Sequence, residues 1–262
     1  MFTNYDFMFD KIHSEDMNTV IVNMNSGLSE SNFGIVQTVI EDKITGRDVP
    51  YFYKTDRQTY TFPLIITTIN SEGELLKLDR QTRSKLVKWL VKDTYREFKS
   101  PDYPDQVFYV IFTEGKSYIT GAEQGYLTLT GRLNSPYSYQ EKVVTTKNYP
   151  TSITNTMYMN NFSNIIDNYK PELEFTLVGS ATDITIKNLT NGKSLTFTGL
   201  TPGETIYVNN QTGKIISSLG ITRLDKCNRN WMSLNYGENK IEITTNSGGC
   251  KISFTTQFPM SF

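Results

Sequence analysis

One histidine, His13, and two cysteines, Cys227 and Cys250, are all that this 262-residue chain holds of those two residue types. That scarcity excludes a zinc site of the usual nitrogen and sulfur ligands, which needs about four donors. It also excludes a disulfide framework, so free thiols and synthesis in a cytoplasm are the expectation. No P-loop, no G-x-G-x-x-G and no G-x-S-x-G occurs. No apolar run approaches the ~20 residues that cross a bilayer. The opening residues "MFTNYDFMFDKIHSEDMN" show no basic start, apolar stretch or small-residue cleavage site, and so do not read as a secretory signal. The formal net charge is −1, an excess of neither sign, which argues against a nucleic-acid footprint and against an acidic disordered tail.

Aromatic residues, by contrast, are plentiful at 13%, with 16 Tyr and 15 Phe, a composition suited to sheets and to protein interfaces. In the first half "FGIVQTVIED" (33–42), "TFPLIITTI" (61–69), "VFYVIFT" (107–113) and "GYLTLTG" (125–131) read as strands. The one strong helical window is "DRQTRSKLVKWLVKDTYREF" (79–98). At ~100° per residue Leu86, Trp89 and Leu90 form a stripe, opposite Arg80, Lys85, Lys88 and Lys92. Asp79 is placed to cap it, Pro101 lies beyond it, and Arg83, nearer the stripe, is expected to snorkel or to find a carboxylate.

From Leu173 the period becomes two. "LEFTLV" (173–178) points Leu173, Phe175 and Leu177 one way, and "DITIKNL", "KSLTFTGL", "ETIYV", "NKIEITT" and "CKISF" repeat the alternation. Asn191-Gly192, Pro202-Gly203, Thr212-Gly213, Gly237 and Gly248-Gly249 punctuate it. Short, evenly spaced strands with a turn between each pair predict an all-β sandwich or jelly roll. Cys250, in phase with Ile252 and Phe254, reads as a small buried hydrophobe. The polar stretch 134–172 is weakly periodic. It is expected to add a strand to one sandwich, and to follow a domain boundary near Pro136.

The residues offer no convincing catalyst. His13, beside Ser14, Glu15 and Asp16, reads as a solvated loop residue. The pairs Glu15/Asp16 and Glu41/Asp42 are what 27 acidic residues produce by chance, although glycosidase carboxylates that converge from separate strands would leave no local signature. Tyr51, Phe52, Tyr53, Tyr137 and Tyr139 could stack on sugar, but in a β protein such rings more often fill cores or oligomer interfaces. Catalytic, cofactor-binding and metal residues are therefore all expected to be none. The stretch 39–62 stands apart: its arms "VIEDKI" and "YFYKT" carry apolar residues through "TGRDVP" with no helix following. A long hairpin of this kind either packs on a neighbouring molecule or is an ordinary sandwich edge.

The order of these elements resembles a known family. A β-rich start, "RQTRSKLVKWL" (80–90), "DQVFYVIFTEGKSYI" (105–119) and "GYLTLTGRLNSPYSY" (125–139) are similar to the N-terminal domain of the distal tail (Dit) proteins of long-tailed phages of Gram-positive bacteria. The family's "L-x-F-x-C-x-x-P" run is matched in outline by "LTLTGRLNSPYSY", with Arg132 and Leu133 lengthening the approach to Pro136. "GLTPGETIYVNNQTGKI" (199–215) and "WMSLNYGENKIEI" (231–243) match its C-terminal motifs, with Asn209 where an acid is common and Tyr236 where proline is usual. The likeness runs from about Asn18 to Phe254.

The resemblance implies a mainly β protein with one prominent helix. Residues 1–137 would be an N-terminal ring-forming β-sandwich plus helix and hairpin, and residues 138–262 a C-terminal galectin-like β-sandwich. It implies a non-enzymatic virion component at the siphovirus tail tip, made in the host cytoplasm. Its partners would be itself as a homohexamer, the tail tube protein, the tail-associated lysin or fibre hub protein and, in some members, receptor-binding proteins. Neither nucleic-acid binding nor membrane insertion is expected. A closed ring needs one patch to meet a different patch on the next subunit. Ile40, Ile44, Tyr51 and Tyr53 of the hairpin are the expected half of that oligomer interface. The alternative reading is a carbohydrate-binding or receptor-binding module recognising host cell-wall saccharide through the C-terminal sandwich; a cell-wall glycosidase ranks third.

Overall fold

In the computed structural model, which describes residues 2, 4–22, 36–151, 154–165 and 167–261, the chain divides into two units, Met1–Gln140 with Met260–Phe262 and Glu141–Pro259. The first unit holds β1 (Met8–Phe9), β2 (Ile12–His13), β3 (Thr19–Ile21), β4 (Gln37–Asp42), β5 (Tyr51–Arg57), β6 (Thr61–Thr68), α1 (Arg80–Leu90), β7 (Arg96–Lys99), β8 (Phe108–Ile119) and β9 (Gly125–Leu133). Seven of these strands form one antiparallel sheet in the order β2-β1-β7-β8-β9-β6-β3. The Ile21 N–H donates to the Tyr5 carbonyl at 2.9 Å, which ties the last strand of that order to the segment leading into β1. The sheet thus curls back on itself around one aromatic core. Phe7 stacks on Trp89 and Phe98 with ring centroids 5.4 and 5.5 Å apart, and Phe9 lies 5.1 Å from Phe112. Gly131 pairs with Phe62, and a Cβ on it would stand 2.6 Å from the Phe62 ring, so only glycine admits that ring here.

Helix α1 covers this core with the expected stripe: Leu86, Trp89 and Leu90 are buried, and the Trp89 indole N–H donates to the Phe9 carbonyl at 3.0 Å. Asp79 caps it, accepting the Thr82 N–H at 2.7 Å. That bond, backed by other donors at the helix start, holds the Asp79 carboxyl below its usual pKa. The helix is shorter than its sequence window. It stops at Leu90, Val91 is extended, and Arg96–Lys99 is a strand between β1 and β8. The reason lies in Phe98, fully buried opposite Phe9 and Phe108, a position that only a strand can supply. The intervening Val91, Asp93 and Thr94 are weak helix formers that give way easily. Lys92, expected on the polar helix face, instead pairs with Asp10 at 3.1 Å. Arg83 finds no carboxylate among the described contacts; its Nε reaches the Asp79 carbonyl at 3.4 Å.

After β10 (Ser138–Tyr139) the second unit runs β11 (Val143–Tyr149), β12 (Thr154–Asn161), β13 (Glu172–Val178), β14 (Ile184–Asn188), β15 (Ser194–Phe197), β16 (Thr205–Asn209), β17 (Lys214–Ser217), β18 (Gly237–Thr245) and β19 (Gly249–Thr256); β20 (Pro259–Met260) ends the series. A five-stranded sheet, β11-β19-β13-β16-β17, and a four-stranded sheet, β12-β18-β14-β15, enclose one core. Phe175 of one sheet meets Phe197 of the other at 5.4 Å. The period-two reading is realised residue for residue: Leu173, Phe175 and Leu177 are buried, as are Ile252, Phe254 and Cys250. The stretch 134–172 supplies strands to this one sandwich, β11 to its five-stranded sheet and β12 to its four-stranded sheet. The Ser138 hydroxyl donates to Gln106 Oε1 at 2.6 Å and the Met260 carbonyl at 3.2 Å, which holds residues 138 and 260 within the first unit.

Candidate assembly surface

The residues singled out for chemistry do not come together. His13 is exposed on β2, and Glu15 and Asp16 sit exposed on a short 3-10 turn. Among the described residues no group of three or more His, Cys, Asp or Glu side chains converges. Both thiols are buried and free; burial raises the Cys227 pKa and pushes that of Cys250 up to about 11. Of the aromatic residues weighed as sugar-stacking rings, Tyr137 and Tyr139 are half-buried. The Arg57 guanidinium donates to the Tyr137 hydroxyl, and the Tyr139 hydroxyl donates to Ser135 Oγ at 2.7 Å.

The hairpin differs from everything else in the first unit. Among the described residues strands β4 and β5 pair only with each other, antiparallel, with a register shift at Ile40/Glu41 that leaves Tyr53 as the extra residue. The strand read as 33–42 begins at Gln37; residues 33–35 lie outside the described residues. Val39, Ile44, Val49, Phe52 and Tyr53 are each more than half exposed and Tyr51 nearly so, while Ile40 is partly covered. Of the four expected interface residues, three therefore present bare apolar surface. Val39, Val49 and Phe52 extend that surface and carry the same apolar character in the sequence. The rings are held in place: the Tyr53 hydroxyl donates to Asp42 Oδ2 at 2.9 Å, and the Arg47 guanidinium lies 4.1 Å over the Tyr51 ring. The bond to Asp42, then its charge, raise the Tyr53 pKa.

A second apolar feature of the same unit is concave. Between α1 and the β8–β9 ribbon runs a groove of about 370 Å³. Leu86, Leu90, Phe112 and Leu129 form its buried floor, and Val87 and Val91, each more than half exposed, stand on the helix side. Arg83 and Lys116 edge it from opposite sides, with Glu114 on the ribbon.

In the second unit the outstanding group is Glu204, whose side chain is wholly buried. Arg223 closes on it through Nε at 2.9 Å and Nη2 at 2.8 Å, Ser217 Oγ donates at 2.6 Å and the Thr201 N–H at 3.0 Å. Burial pushes this carboxyl up, but the hydrogen bonds from Arg223, Ser217 and Thr201 and the guanidinium charge outweigh it and hold the pKa at about 2. With every oxygen lone pair engaged, the pair is a fastener for the loop after β17, not a reactive acid. On the outer face of the four-stranded sheet Tyr158 is exposed, opposite Lys240 and flanked along β12 by Thr156 and Asn160.

Residues 2–135 match the family described as "Phage tail protein N-terminal domain", and residues 137–256 match "Phage tail C-terminal domain". The SPbeta prophage-derived uncharacterized protein YomH of Bacillus subtilis (strain 168) is 28% identical over 249 residues, 94% of each chain. Among solved structures the SPP1 Dit protein, described as a paradigm of the hub adsorption apparatus in Gram-positive infecting phages, shares the fold with a TM-score of 0.69 at 15% identity. The alignment covers 97% of this chain and 98% of that one.

Proposed function

The chain belongs to the phage tail protein family, and from that membership we propose that it is a distal tail protein: a homohexameric ring that joins the tail tube to the host-adsorption apparatus at the tail tip. The observation that carries the reading is the fold held in common with SPP1 Dit from end to end, both units included. In this reading the first unit closes the ring and the second, Glu141–Pro259, is a galectin-like sandwich offered to other tail-tip proteins, among them a lysin or fibre hub. The protein works as a shaped connector rather than a catalyst, resides in the virion and is made in the host cytoplasm.

The bare rings of the β4–β5 hairpin support this role. An apolar hairpin left uncovered by its own unit is an exposed patch of the kind that marks a protein contact. Ile40, Ile44, Tyr51 and Tyr53 are assigned to the subunit interface on that ground. Light scattering tests it: the purified protein is expected at about six times its chain mass of 30.0 kDa. The double variant Tyr51→Asp, Tyr53→Asp is expected to be monomeric, and an unchanged mass would remove the hairpin from the interface.

A second reading, saccharide recognition by the outer sandwich, is favoured by one observation, the exposed Tyr158 ring among Thr156, Asn160 and Lys240. An aromatic face beside hydrogen-bonding side chains is the arrangement that stacks on a sugar ring.

A further inference from the structure

We propose that the groove between α1 and the β8–β9 ribbon receives the β4–β5 hairpin of a second copy of this chain, with Phe52 in the groove and Glu41 against its basic rim. The inference rests on the ring reading and adds the acceptor that the ring requires. The hairpin stands out from its unit and the groove is concave, so the contact joins two unlike patches rather than one patch to itself. Repeated head-to-tail from copy to copy, such a contact closes a ring when the rotation between neighbours divides a full turn.

Chemistry as well as shape matches the two surfaces. The groove floor is aliphatic and aromatic, and at about 370 Å³ it holds the equivalent of about a dozen waters, room for a ring-sized side chain. Its free edge, Val87 and Val91, is apolar surface that the monomer leaves in water. On the hairpin Phe52 is among the most exposed large apolar residues, and it pairs with Glu41 across the two strands. A ring and a carboxylate therefore leave the hairpin at one register position. The groove answers with an apolar floor between two cations, Arg83 and Lys116, against one carboxylate, Glu114. Asp42, the adjacent acid, is already held by Tyr53, which leaves Glu41 as the carboxylate beside Phe52. Opposed charges at the edge of an apolar contact fix register and steer association.

The test uses the full chain, with mass by light scattering over a concentration series and with circular dichroism and melting temperature as checks on folding. Val87→Glu and Phe52→Ser are each expected to reduce the assembly to single chains. Glu41→Lys is expected to weaken association about tenfold, and adding Lys116→Glu or Arg83→Glu to recover most of that loss. Should Val87→Glu fail to fold, the charge reversals, which touch only the surface, still decide the matter. A Val87→Glu protein that keeps the wild-type mass while the Tyr51→Asp, Tyr53→Asp protein falls apart overturns the groove and leaves the ring standing. Failure of both rim reversals to restore Glu41→Lys overturns the assignment of Glu41. A wild-type protein that is a single chain at every concentration removes the ring reading itself.

Discussion

The backbone N–H of Met232 donates to the side-chain oxygen of Asn210 at 2.9 Å, while the Asn210 amide nitrogen donates to the Pro171 carbonyl at 2.7 Å. One buried asparagine thereby joins the two glycine-punctuated runs, 203–215 and 231–243, that the sequence presents as separate motifs. The Trp231 ring completes the joint by lying over Gly213, where an added Cβ would stand 2.9 Å from it.

Replacing Asn210 by Leu strands a buried N–H and a buried carbonyl at once. At about 1–3 kcal/mol for each unsatisfied group, the second unit is expected to lose on the order of 2–6 kcal/mol. Gly213→Ala is expected to destabilise as well, because φ there is +71° in addition to the crowding. The two tryptophans, Trp89 and Trp231, fall one in each unit. Urea unfolding followed by Trp231 fluorescence in a Trp89→Phe background therefore reads the second unit separately.

Glu204 makes that unit acid-sensitive. Its folded pKa of about 2 lies below the ordinary 4.5, so the stabilisation is complete above about pH 5 and is lost as the pH falls through 4.5 toward 2. The shift corresponds to roughly 3 kcal/mol at neutral pH. Wild type and Glu204→Gln are expected to converge in stability as the pH drops through that window. Arg223→Met, which leaves the buried carboxylate alone, is expected to cost about 3–5 kcal/mol at pH 7. Urea midpoints measured from pH 7 to pH 2 check both; parallel curves for wild type and Glu204→Gln would disprove the account.

Cys227 and Cys250 should be inert in the native protein. Both are buried, and their raised pKa values keep them as thiols at neutral pH, whereas attack requires the thiolate. With a thiol-specific chromogenic reagent at pH 7.5 (~1 unit below an ordinary thiol pKa), colour is expected to develop at the rate of unfolding and to become immediate in denaturant. Rapid reaction of the folded protein would contradict the burial.

Sugar recognition by the outer sheet predicts that Tyr158→Ala abolishes binding to cell-wall saccharide while leaving the melting temperature unchanged, since the ring packs on the surface. Glycan-array binding by wild type and variant decides it. Absence of binding by the wild type would leave the connector role alone.

The second unit was the more legible half, because its strands are half-buried and alternation records burial directly. Leu173, Phe175 and Leu177 needed no knowledge of what they would pack against. The helix stripe Leu86, Trp89, Leu90 was legible for the same reason, yet its end was not. Residues 91–98 keep enough helical period to extend the window, and only the cavity for Phe98 beside Phe9 and Phe108 turns them into a strand. The hairpin arms were read from their composition, but the bulge at Ile40/Glu41 and the pairing of Tyr53 with Asp42 arise only once the arms are in register. The groove left no trace in the sequence, since its floor and rim come from three elements, α1, β8 and β9, with positions read as ordinary core and ordinary charge.

What the sequence determined by itself is local: period-two strands, one amphipathic helix with its Asp79 cap, glycines at the turns, and too few histidines and cysteines for a zinc site of the usual nitrogen and sulfur ligands. What the tertiary structure decided is where polar side chains go when they leave water. Asn210 and Met232 lie 22 residues apart and Glu204 and Arg223 lie 19 apart. A polar residue in isolation looks solvated, and its burial becomes tolerable only when the fold delivers a partner to every donor and acceptor.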